Sequence, residues 1–159
     1  MCHPGAVERP TLYEHAGGMP AFVRLAAAHH QRCLDDPVLS HPFSHPGDPD
    51  HIEHLARYWT EALGGPAEYT VSCGGHSAML ELHARTQAKE DLGQRFIDCF
   101  VKAADDAGLP ADPEFRSARR VYMTWAVSEV MSYAPADTVV PPGGPIPHWS
   151  WDGLERGPG

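Results

Sequence analysis

An all-α fold is the reading that three features of the chain share. Apolar residues recur with a 3.6-residue period, Gly and Pro punctuate the intervals, and no segment shows sustained period-two alternation between turn signals. The length of 159 residues suits one domain of ordinary size. Residues 11–16 can form a short turn, closed by Gly17-Gly18. A helix over residues 19–34 stops near Asp36-Pro37, because the residue before proline is pushed out of the α region. Asp50 and Glu53 have the spacing of a capping box, and the helix they open carries Ile52, Leu55, Trp59 and Leu63 on one stripe. Gly64-Gly65-Pro66 ends it. After Gly74-Gly75 a helix is expected over residues 76–84. Residues 89–107 place Leu92, Phe96, Cys99, Phe100 and Ala103 on one face. The last helix, over residues 112–133, opens with Pro113 in its first turn, where a missing amide costs nothing. From Pro135 onward, six prolines and five glycines interrupt every candidate helix, so residues 135–159 read as a coil tail, with Trp149 and Trp151 as candidates for pinning it to the domain. The organisation is therefore an extension over residues 1–10, a helical domain over 11–134 and a tail over 135–159.

Charge and composition narrow the partners. The formal net charge is −9 and no basic cluster exceeds Arg119-Arg120, which argues against nucleic acid and anionic membranes and for small molecules or proteins. No apolar run approaches membrane-spanning length, and the amino terminus has neither the basic start nor the apolar core of a signal peptide. Cys2, Cys33, Cys73 and Cys99 form no C-x-x-C pair and no disulfide-dense pattern. A cytoplasmic protein with free thiols is expected.

Eleven histidines nearly equal the twelve Lys and Arg residues. His3, His15, His41, His45 and His148 lie near turns, prolines or termini and read as solvated. His76, Met79, Leu80 and His83 share one helical face at i, i+3, i+4 and i+7. An imidazole on such a face is either a hydrogen-bonded core histidine or an axial ligand to a haem lying on Met79 and Leu80. His51 and His54 form an H-x-x-H without the Glu of H-E-x-x-H, and no third or fourth zinc ligand follows. His29 and His30 both fall on apolar stripes, so at least one points inward. Nucleotide-binding and α/β-hydrolase motifs are absent from the sequence.

In order, the blocks Thr11-Leu12-Tyr13-Glu14-His15-Ala16-Gly17-Gly18, Asp36-Pro37-Val38-Leu39, Tyr58-Trp59 through Gly64-Gly65-Pro66 with Tyr69, and Gly75-His76-x-x-Met79-x-x-x-His83 resemble the truncated haemoglobins, most closely the second group common in bacteria. The resemblance covers about residues 11–134. It implies a two-over-two helical sandwich holding haem b (iron protoporphyrin IX), with His83 as the proximal iron ligand. His30 falls on the usual distal tyrosine, His51 on the distal position nearest bound ligand, and Leu55 one turn further. Phe43 falls on the aromatic that packs on the haem, often Tyr in this group, and Phe96 on the tryptophan the group usually places over it. Met79 and Leu80 line the proximal face, and His54 faces a propionate. Phe43 and Phe96 cannot donate hydrogen bonds, so the donor function moves to His51 and His30. A second arrangement has His51 itself as sixth ligand to the iron.

The expected function is reversible binding of dioxygen, nitric oxide and carbon monoxide. One alternative is a haem enzyme, with nitric oxide dioxygenase or peroxidase-like activity and an external reductase. Another is a cofactor-free helical interaction protein.

Overall fold

The computed structural model describes residues 9–40 and 50–155. Among them are seven α-helices: α1 (Leu12–Ala16), α2 (Met19–Asp35), α3 (His51–Ala62), α4 (Glu68–Cys73), α5 (His76–His83), α6 (Glu90–Asp106) and α7 (Pro113–Ser132). A two-residue hairpin of β1 (Trp149–Ser150) and β2 (Gly153–Leu154) follows. The long helices form a two-over-two sandwich: α2 packs on α3, α6 packs on α7, and α2 also packs against α6. Ala26, Ala56, Ala103 and Ala104 are fully buried, so the helices carrying them can approach closely. Between them Phe22, Leu25, Trp59, Phe100, Phe115 and Tyr122 fill the core.

Local chemistry accounts for most helix ends. Thr11 and Glu14 form a reciprocal capping box on α1, with Glu14 N donating to Thr11 Oγ1 at 3.1 Å and Thr11 N donating to Glu14 Oε1 at 3.0 Å. The box expected on α3 does not form: Asp50 is the N-cap residue, but its side chain makes no cap hydrogen bond. Asp112 caps α7 through Phe115 N at 3.1 Å. Asp36 closes the turn after α2, accepting from Val38 N at 2.8 Å and Leu39 N at 3.1 Å, while Arg95 of α6 reaches the same carboxylate. Its pKa is held down first by the Leu39 amide, with Val38 and Arg95 adding to it. Gly74 and Gly75 enter α5 at φ 93° and 86°, a left-handed path that glycine follows without steric cost.

Three features lie beyond the sequence reading. Helix α4 was unmarked by periodicity or caps; buried Glu61 of α3 holds it, accepting from Thr70 N at 2.9 Å and from the Thr70 hydroxyl. Residues 135–155 hold no helix, and beside the expected anchors Trp149 and Trp151, Val140 and Ile146 are buried, which nothing in the sequence marks. His15, read as solvated, lies 2.9 Å from Asp112 and packs edge-on against Trp151, with ring centroids 4.9 Å apart. His148 is exposed, while His3, His41, His45 and Phe43 lie outside the described residues.

Candidate functional site

The candidate residues fall into two sets. The first gathers where α2, α3 and α6 meet. His30 of α2 and His51 of α3 face one another with ring centroids 5.3 Å apart, and His30 Nδ1 and His51 Nε2 are both buried. Phe96 of α6 stands against His29, 4.4 Å between centroids, and Leu55 packs on the core one turn beyond His51. His54, next on α3, is half-buried. Of the two adjacent histidines, His29 is the fully buried one, wedged between Trp59 and Phe96 with Cys33 Sγ 3.6 Å from its Nε2. Burial drives its pKa down to about 4; the nearby His51 and His30 rings push the same way, and a hydrogen bond to the Phe96 backbone works against them.

The second set lies on α5. Leu80 is buried, Met79 packs against the core, and His83 is exposed in the last turn. His83 Nδ1 donates to Met79 O at 2.8 Å. A carbonyl can only accept, so Nδ1 carries the proton and the neutral ring presents its Nε2 lone pair outward. That tautomer is the one a metal-ligating histidine adopts. Among the described residues no group of three or more His, Cys, Asp or Glu converges on a metal-sized site. A single histidine with a fixed tautomer, next to apolar side chains, fits the axial ligand of a haem.

Helix α3 joins the two sets. Two turns after His51 it places the Tyr58 hydroxyl 2.8 Å from His76 Nδ1, and His76 Nε2 lies 2.7 Å from Glu129 Oε1 of α7. Burial keeps the Tyr58 phenol protonated, so its hydroxyl can donate to His76 Nδ1. His76 is thus a buried ring hydrogen-bonded to Tyr58 and close to Glu129, at the first turn of the helix that carries His83. The sequence put His76 on the same face as His83 but held no sign of Tyr58 and Glu129 as its partners. Their separations of 18 and 53 positions are invisible to a helical-wheel argument.

No helix among the described residues is long and apolar enough to cross a membrane. A search of curated proteins finds no match. Solved structures do match. The haemoglobin of the thermophilic phototroph Chloroflexus aurantiacus is 27% identical at a TM-score of 0.66, covering 77% of this chain and 98% of that one. The thermostable haemoglobin of the actinobacterium Thermobifida fusca is 26% identical at 0.63, covering 76% and 96%. The group II truncated haemoglobin of Bacillus anthracis shares the fold at 21% identity and a TM-score of 0.65, covering 78% and 92%. The model of the family described as bacterial-like globin matches residues 11–129, three quarters of the chain. With that match and the all-helical sandwich, the chain belongs to the bacterial-like globin family and is a haem- and oxygen-binding globin of the truncated type.

Proposed function

We propose that this globin holds haem b through His83 and binds dioxygen, nitric oxide or carbon monoxide beside His30 and His51. The carrying observation is the 2.8 Å bond from His83 Nδ1 to Met79 O, which fixes the ring tautomer and leaves Nε2 to ligate. When bound, the haem supplies a ferrous iron that takes a diatomic ligand. Everything else is the work of the chain. Met79 and Leu80 form an apolar support on the His83 side, and Leu55 and Phe96 exclude water on the other. Half-buried His54 is the residue that would face a propionate. His30 and His51 offer imidazole N–H groups where the family more often places tyrosine and tryptophan. A donor aimed at the partial charge on bound dioxygen stabilises it by about 1–3 kcal/mol, slowing its release. Reduction of the haem iron draws on an external reductase, and the buried thiols of Cys33 and Cys99 suit a reducing cytoplasm.

The test is the absorption spectrum of haem-loaded protein in ferric and ferrous states, for the native chain and for His83→Gly with and without added imidazole. The variant should lose its histidine-ligated spectrum and regain it with imidazole. Stoichiometric, histidine-ligated haem in His83→Gly without imidazole would overturn the assignment. His51→Leu should speed dioxygen release by about tenfold, the equivalent of 1.4 kcal/mol. If His51 is instead the sixth ligand, the unliganded ferrous spectrum changes from six- to five-coordinate in that variant.

A further inference from the structure

The C-terminal segment runs along the helix that carries His83 and is bonded to it near both ends. At the start of α5, Ser77 Oγ donates to Pro141 O at 2.7 Å and accepts from Gly144 N at 2.9 Å. Just past the end, Arg85 N donates to Tyr133 O at 2.8 Å, Arg85 Nη1 to Thr138 O at 3.1 Å and Gln87 N to Ala134 O at 2.8 Å. Residues 133–144 therefore advance as residues 87–77 retreat, and the two segments lie antiparallel.

Several features show that this seam is built. Arg85 and Gln87 hold φ of 60° and 57°, a left-handed conformation that residues with a β-carbon rarely adopt and that the hydrogen bonds to Tyr133 and Ala134 keep in place. A β-carbon on Gly144 would stand 3.2 Å from Ser77 Oγ, so any other residue there would push Ser77 or the segment by a few tenths of an ångström. Further along, Ile146 and Trp149 are buried, and Trp149 packs against Tyr122 and Trp125 with centroids 5.7 Å from each. The C-terminal side of the seam, residues 133–144, lies outside the region matched to the family, which ends at residue 129. Helix α5 has only eight residues, no side-chain cap at Gly75 and an exposed last turn; buried His76 and Leu80 anchor its first two turns to the core and leave the end beyond His83 to the seam.

We infer that residues 133–144 are a splint positioning α5, that Ser77 is a positioning residue within it, and that the C-terminal segment thereby sets the strength of the axial histidine bond. The inference rests on the reading of His83 as that ligand. His83 and its acceptor Met79 O belong to the same helix, so the ring moves with α5 as one body, and whatever fixes α5 fixes Nε2.

The test uses the full haem-loaded chain as reference, with Ser77→Ala, Ser77→Thr and a chain ending at Ala134. Two readouts are taken: amide hydrogen exchange across residues 76–84, and the iron–histidine stretching band in the ferrous resonance Raman spectrum. Ser77→Ala should speed exchange in that stretch by about tenfold while α2, α6 and α7 stay unchanged. It should also shift or broaden the iron–histidine band, and Ser77→Thr, which keeps the hydroxyl, should restore both. The shortened chain should show the same changes more strongly; if it fails to fold, the Ala and Thr variants decide. Native exchange in Ser77→Ala overturns the splint, as does a change that Thr does not reverse. Faster exchange with an unmoved band overturns the control of the histidine bond. A native band in His83→Gly would instead show the ligand assignment to be wrong, while the exchange result still judges the splint.

Discussion

His29 and His30 are adjacent in sequence and differ sharply in surroundings. His30 meets His51, whereas His29 is sealed among Trp59, Phe96 and Phe100, where a charged ring has no solvation. With its pKa lowered to about 4, His29 stays neutral in the folded protein while the unfolded chain takes up a proton near pH 6.5. Its contribution to stability is therefore complete above about pH 6.5 and is lost as pH falls from there through about 4, a total of about 3 kcal/mol. His29→Leu should flatten that part of the profile, at a cost of about 1 kcal/mol at pH 7 for the hydrogen bond to the Phe96 backbone. Denaturant unfolding at pH 7 and at acid pH measures both, and an unchanged slope in the variant would place the acid sensitivity elsewhere. The sequence showed that at least one of this pair points inward. Which one does, and against what, depends on α3 and α6, whose residues are far away along the chain.

Helices whose ends are set by neighbours in sequence were readable, and those held by distant side chains were not. The helices over residues 19–35, 51–62, 76–83, 90–106 and 113–132 all follow stripes and breakers visible in the sequence. Asp50 and Glu53 had the spacing of a capping box, yet the reciprocal box is at Thr11 and Glu14, where five helical residues gave no periodicity to read. Thr11→Ala should remove about 1 kcal/mol, lowering the Tm by about 2–4 °C in thermal unfolding. Helix α4 depends on Glu61, and the amide of Met19 at the start of α2 is satisfied by the hydroxyl of Tyr13 at 3.0 Å. Such partners supply what the helix end itself lacks.

Over the whole molecule, the C-terminal segment is as much a part of the packing as the helices. Beyond the seam with α5, Trp151 Nε1 donates to Pro10 O at 2.8 Å and the Arg9 guanidinium stacks 3.6 Å above the Trp151 ring, so the two described ends of the chain meet. Trp149→Ala should cost about 3–5 kcal/mol in chemical denaturation, the loss expected of a large buried aromatic. A loss within the range of surface substitutions would mean that the hairpin is only loosely seated. Prolines and glycines in this stretch left Trp149 and Trp151 as its readable anchors, because they abolish helical and strand periodicity without preventing burial.

By itself the sequence determined the helical class, most helix boundaries, the apolar face bearing Met79, Leu80 and His83, and the family resemblance. Each of these is written in residues within a few turns of one another, where periodicity and capping act. Tertiary structure alone decided that His30 meets His51, that Tyr58 and Glu129 enclose His76, and that residues 133–144 brace α5. Those contacts join positions far apart along the chain, and their partners are selected by how the helices pack rather than by any local pattern.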